Sequence, residues 1–352
     1  MSLITALPSL RAIPLRSLRS LTGTARRLPP RPAAVPDGPH DEEVLLDVPD
    51  ARLAPVLVAA ADGDHGPAAA LLAATRTTAG WEDRDRYLTR LAAFALGRDA
   101  WLSGWLAASP RDPDALLLAA ALAVLRAWGS PARAELLREV GPLIDAAAAG
   151  DPRDPVPWRL ALDHARGVHA GHTTFETLWE QALRRSPWHY GCHVAALRYL
   201  SAQWHGSHRE CFDFAEQAAD EAPPGALVRA LPVRAAFAFI AGGGRPDAAP
   251  GRIDAAADRA IALSAGHGPG EPLLAEIRNV LVYVLAHRER WADALEQFRL
   301  IGPDVTSFPW ARLSDDPLGR FLELRGAVRV LAAPDGGRRD RTGRARGRGH
   351  YA

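Results

Sequence analysis

The stretch Trp179-Glu180-Gln181-Ala182-Leu183-Arg184-Arg185-Ser186-Pro187 decides the fold. A large and a small residue three apart share one face of a helix, and the small one lets a neighbouring helix approach closely. The proline cannot continue that helix and is suited to open the next. The same spacing returns at Trp105, Ala108 and Pro113, at Ile144, Ala147 and Pro152, and at Ala215, Ala218 and Pro223. Ile261, Ser264 and Pro269 form a weaker copy, and Phe298 with Ile301 keeps the first half. The anchors recur every 35 to 46 residues, so each marks the second helix of a repeated hairpin.

The first helices are equally legible. Leu273, Leu274, Ile277, Leu281, Val284 and Leu285 follow Pro272 at helical spacing, and Tyr190, Val194, Leu197 and Trp204 make a similar stripe. No strand alternation bounded by Asn-Gly or Asp-Gly turns occurs. Thr173 with Glu176, and Ser207 with Glu210, are spaced as capping boxes, each after a glycine, Gly171 and Gly206. Trp204, Gly206, Ser207 and Glu210 thus read as one turn motif. Pro309-Trp310 before a last apolar helix reads as a loop docked beneath a cap, as terminal repeats require. The expected fold class is all-α, a curved α-solenoid of six or seven hairpins with a C-terminal capping helix, occupying residues 41–333.

All 42 basic residues of the 352 are arginine, and Asn279 is the only asparagine. With no lysine, P-loop, protein-kinase and Schiff-base chemistries are closed. Any anionic partner must be held by arginine. The skew is that of high-GC bacterial genomes of the actinomycete kind. The net charge of +1 hides a segregation: residues 1–40 carry +5, residues 334–352 carry +4, and the body between them −8. Both tails are expected to be disordered. No apolar signal core follows Arg26-Arg27, and the longest apolar run, Ala115 to Leu125, is far below the roughly 20 residues of a membrane span. A cytoplasmic chain with no membrane partner is expected.

Seven of the 12 histidines lie between His164 and His208. His189 and His193 are one helical turn apart but lack the glutamate of a zincin motif. His193 lies 11 residues before Trp204, about 16 Å along a helix axis from the turn that Trp204 and His205 make, so His189, His193 and His205 cannot share one metal. Adjacent turns can instead bring His169 and His172 towards His205 and His208, the only weak candidates for a metal or a pH-sensing edge. Cys192 and Cys211 are too few for a disulfide framework and out of register by about 10 Å. No nucleophile elbow or Cys-His signature is present, so catalytic residues and cofactors are expected to be none.

The repeat spacing brackets the tetratricopeptide period of about 34 residues, and residues 51–333 resemble tetratricopeptide-like helical-repeat proteins. Gln203-Trp204-His205-Gly206-Ser207-His208, with Thr306, Pro309-Trp310, Asp316-Pro317, Phe321 and Arg325, resembles a bacterial repeat family with a W-x-G-S turn. The paired Gly and Tyr of the tetratricopeptide first helix are missing from most copies. Neither resemblance brings a catalytic residue. Together they imply a non-enzymatic protein-protein interaction scaffold whose first helices line a concave groove for a protein or peptide. The groove candidates are His189, His193 and Arg198 on one first helix, and Arg278, Tyr283 and His287 on another. The alternatives are a polyanion- or RNA-binding regulator acting through the arginine-rich tails, and a metal- or pH-sensing protein using the His169, His172, His205, His208 edge. Oligomeric state is not legible.

Overall fold

The structure is a computed structural model that describes residues 44–245 and 249–333. The predicted disordered tails, and with them the polyanion-binding alternative, lie outside the described residues. Among the described residues the chain is all-helical apart from one two-residue strand pair, as the repeat spacing predicts. The helices, in order, are α1 (Leu53–Ala61), α2 (Gly66–Thr77), α3 (Trp81–Gly97), α4 (Ala100–Ala108), α5 (Pro113–Trp128), α6 (Arg133–Gly150), α7 (Val156–Gly167) and α8 (His172–Arg185). They continue with α9 (Tyr190–Tyr199), α10 (His208–Glu221), α11 (Leu231–Ala241), α12 (Pro250–Ala265), α13 (Pro272–His287), α14 (Trp291–Ile301), the single turn α15 (Ser307–Trp310) and α16 (Pro317–Leu331).

The starts of many helices follow one rule, an acid followed by proline. Asp112 Oδ1 accepts the amide protons of Asp114 and Ala115 at 2.8 and 3.1 Å while Pro113 occupies the first turn of α5. Asp316 before Pro317 does the same for α16, and Asp154 before Pro155 takes the Val156 amide at 2.8 Å. Each carboxylate satisfies amide groups that the helix itself leaves unpaired. Ser207 caps α10, with its Oγ 3.2 Å from the Glu210 amide and 2.8 Å from Glu210 Oε2, as the spacing predicts. The second expected capping box fails. The chain turns helical at His172 behind Gly171, which has no side chain to cap with, so Thr173 already lies in the first turn of α8.

The repeat anchors Trp105, Ile144, Trp179, Ala215, Ile261 and Phe298 fall on α4, α6, α8, α10, α12 and α14 respectively. Their partners Ala147, Ala182, Ala218 and Ser264 are buried, which is where small residues admit a neighbouring helix. The first helices α3, α5, α7, α9, α11 and α13 pack in succession, each on the next, and the second helices flank them. Two clusters of buried side chains, one spanning Leu53 to Ala161 and the other Leu162 to Val328, meet within α7.

The inner row does not stay open. α3 packs not only on α5 but also on α7, α9 and α13. Strand β1 (Leu45–Leu46) pairs in parallel with β2 (Asp304–Val305), register Leu45 to Asp304 and Leu46 to Val305. The first of these inner helices thus meets the last, α3 against α13. The strand pair departs from the expectation of helices alone, because two-residue strands carry no periodicity. After α14 the chain returns inward: Trp310 is fully buried, its Nε1 donates to Asn279 Oδ1 at 2.7 Å, and its ring lies 5.5 Å from that of Phe321 on α16. The single asparagine is thus a buried strut beneath the docked loop. No described helix is long and apolar enough to cross a membrane.

Candidate functional site

Most of the groove candidates face into packing. Arg278 is 1% exposed and donates to Ser264 Oγ (2.9 Å) and to the carbonyls of Ser264, His267 and Leu300 (3.1, 3.0 and 3.2 Å). Its fork terminates α12 and α14, which leaves nothing for a partner. Tyr283 is buried against His287 (4.1 Å between rings) and Phe237 (5.3 Å), and half-buried His287 donates from Nδ1 to the Tyr283 carbonyl at 2.8 Å. His193 is enclosed by Trp179, Trp188 and Phe214, and burial lowers it to about 4. Arg278, Tyr283 and His193 belong to the core, and His287 lies half-buried beside Tyr283, a correction to their expected place on an open face: sequence periodicity groups residues by face without saying what each face meets.

His189 is also buried. Its Nδ1 lies 3.2 Å from Cys192 Sγ and from the Cys192 amide it caps, and its Nε2 lies 3.9 Å from both Glu82 and Asp85. Burial disfavours a charge on the ring, but Cys192, Glu82 and Asp85 outweigh it and raise His189 to about 10. Burial pushes the Cys192 thiol up, and the side chain has no access to solvent, so this pair is not a working nucleophile.

Arg198 alone among the candidates is exposed, by 45% of its side chain. It belongs to a continuous polar band across the inner helices. Asp85 on α3 takes Arg159 Nη2 at 2.5 Å and Nε at 2.9 Å. Asp163, one turn along α7, stands 3.5 Å from Arg159, 3.0 Å from Arg166 and 3.9 Å from Arg198 on α9. Arg234 on α11 pairs with Glu276 on α13, hydrogen-bonds Tyr190 and lies 4.2 Å over the Phe308 ring. Burial raises Tyr190 to about 12. Burial favours the neutral form of Asp163, yet Arg198, Arg166 and Arg159 hold its carboxyl below the usual range. Arg198 is pulled down to about 10 by desolvation among the inner helices and by the like charge of Arg234. Sequence reasoning missed Asp85, Arg159, Asp163, Arg234 and Glu276. Arg159, Asp163 and Arg166 at helical spacing on an otherwise apolar helix were the available signal.

The turn edge assembles in part. The rings of His169 and His172 lie 6.1 and 5.8 Å from that of His205, which also stacks on Tyr199 at 4.4 Å. His208 does not join them and packs on Phe239 instead. Trp204 meets Trp128 edge-on at 5.6 Å, with the Arg133 and Arg166 guanidinium groups over both rings. Gly206 is required there, since a Cβ would stand 2.3 Å from the Leu200 carbonyl oxygen. Among the described residues no group of three or more His, Cys, Asp or Glu is placed to hold a metal ion. No protein-family model, curated protein or solved structure matches the chain.

Proposed function

We propose that the chain is an α-solenoid of tetratricopeptide-like hairpins, capped by α16, and that it acts as a non-enzymatic protein-interaction scaffold. One observation carries the reading: a polar band crosses five inner helices, and within it the Arg198 side chain remains 45% exposed. Supporting it, the anchor residues fall on alternate helices, α4 to α14, and the buried thiol-imidazole pair offers no accessible nucleophile. A peptide or loop entering the inner face would meet the side chains of Arg198 and Glu276, both partly exposed.

The test is affinity capture from the source cell with the wild-type chain and with a variant blocked on the inner face, Ala238→Trp, where α11 presents a half-buried small residue. A partner retained by the wild type and lost by the folded variant supports the reading. A partner held equally by both places binding elsewhere.

The convergence of three imidazoles favours a second reading, a pH-sensitive turn at His169, His172 and His205. Desolvation, with His172 and His169 adding to it, lowers His205. Charging His205 in acid would set its imidazolium against the two neighbouring rings at 6.1 and 5.8 Å.

A further inference from the structure

The inner band contains four arginines, and three of them have a carboxylate at hydrogen-bonding distance. Arg159 is held by Asp85 and Asp163, Arg166 by Asp163 and two indole faces, Arg234 by Glu276, Tyr190 and Phe308. Arg198 differs. Its nearest carboxylate oxygen, Asp163 Oδ1, is 3.9 Å away, too far for a hydrogen bond. That oxygen is already taken by Arg166 at 3.0 Å, and Oδ2 faces Arg159. Arg198 therefore offers a planar fork of N–H donors, its geometry matched to a carboxylate, with no acceptor at hydrogen-bonding distance among the described residues.

The charges around it set the ligand class. The groups acting on Arg198 are Arg234 and Arg166 of like sign and Asp163 and Glu276 of opposite sign. Counted with Arg198 itself, three guanidiniums face two carboxylates, an excess of one positive charge; Arg159 is balanced by Asp85. One monoanion neutralises that excess. A dianionic phosphate overshoots it beside two fixed carboxylates, and a nucleic-acid backbone, which needs a run of cations, finds acids instead. We propose that Arg198 anchors a carboxylate-binding site on the inner face, and that its ligand is an acidic side chain of a protein partner. The identity of the carrier rests on the scaffold reading; the site itself does not. With no lysine in the sequence, arginine is the one side chain that brings a permanent positive charge to this contact.

The probe is N-acetyl-glutamate α-amide, which carries one carboxylate, titrated into the full chain while the Arg198 Nε–H resonance is followed by NMR. That resonance is assigned by its loss in Arg198→Gln. N-acetyl-glutamine α-amide and inorganic phosphate at matched ionic strength are the controls. A saturable Arg198 shift with the carboxylate, none with the amide and a weaker one with phosphate is the expected result. Affinity measured by isothermal titration calorimetry should weaken roughly tenfold in Arg198→Gln, the size of one lost charge-assisted hydrogen bond. The Arg198 side chain makes no hydrogen bond to the other described residues, so this variant is expected to keep the fold, which its unfolding midpoint verifies. No saturable shift, or tighter binding of phosphate, overturns the proposal. A protein partner retained undiminished by Arg198→Gln leaves the scaffold and removes the carboxylate site. Carboxylate binding without any captured protein keeps the site and removes the scaffold.

Discussion

His193 Nδ1 donates to the backbone carbonyl of His189 at 3.0 Å, and the two imidazoles, one turn apart at the start of α9, are pushed in opposite directions. His193 meets aromatic rings and is kept neutral, while His189 meets two carboxylates and a thiol and is held towards the charged form. The inner end of α9 is thus stable over a limited pH range.

The acid side of that range follows from His193. An unfolded histidine titrates near 6.5, and in the fold burial lowers His193 to about 4. Between these values the unfolded chain binds more protons, so stability falls as the pH drops from 6.5 towards 4. The loss approaches ~3 kcal/mol, at 1.36 kcal/mol per pH unit. Urea unfolding at pH 7 and 4.5 measures it, and His193→Gln should flatten the difference. An unchanged slope in that variant would mean another group carries the acid response. On the alkaline side His189 acts with the opposite sign. Its raised value makes its contribution complete below 6.5 and lost as the pH climbs towards 10.

Arg84 is the most consequential buried charge. It is 1% exposed and donates at 2.6 Å to both Asp114 and Asp154 and at 2.8 Å to the Leu72 carbonyl, tying α2, α5 and the start of α7 to α3. Removing it leaves buried Asp114 with Arg76 at 3.2 Å and buried Asp154 with the Val156 amide, and Arg84→Met is expected to cost about 3–5 kcal/mol. Arg84→Lys keeps the charge but loses the fork that bridges two acids, so it should recover only part of that loss. Full recovery by lysine in chemical denaturation would refute the bidentate role.

Two glycines separate packing from propensity. Gly206→Ala places a methyl against the Leu200 carbonyl and is expected to destabilise by about 1–3 kcal/mol. Gly104 sits exposed within α4, and a methyl group added there would meet nothing within 4 Å. Its alanine variant should gain about 0.5–1 kcal/mol from helix propensity. Thermal melts of the pair decide this, and similar shifts for both would contradict the crowding at Gly206.

The hairpins were legible because their signals are local. Trp179 with Ala182, or Asp112 with Pro113, act within one or two turns, so spacing suffices to find them. The meeting of α3 with α13 was not legible: it joins helices far apart in the sequence, and no local spacing encodes it. The inner site was half legible. Arg198 and Arg278 look alike on their helices, and only the placement of the α12 and α14 carbonyls consumes one and leaves the other free. Asp163 was hidden because an aspartate among alanines and leucines reads as a solvated face until Arg159 and Arg166 are seen beside it.

The closure combines apolar and polar contacts: Val44 and Leu46 pack on the core beside buried Val305, while Leu45 is 48% exposed and polar groups hold the turn that follows. Asp47 accepts from the Ser307 amide at 2.9 Å and from its hydroxyl, pairs with Arg90 at 2.8 Å, and adopts φ of 57°, which aspartate and asparagine tolerate better than most residues. Two backbone bonds, Leu45 to Pro303 and Asp47 to Val305, complete the join. Burial favours the neutral form of Asp47, but Arg90 and Ser307 hold its carboxyl below the ordinary value. Its contribution is therefore present above the usual carboxylate range and lost as the pH falls through it. Asp47→Asn keeps the backbone geometry and removes the charge. Hydrogen exchange of the Leu45 and residue-47 amides should accelerate markedly, while the amides of α9 stay as protected as in the wild type. Equal loosening of both would mean that the join supports the whole fold, and no change in either would mean that the two backbone bonds suffice without Asp47.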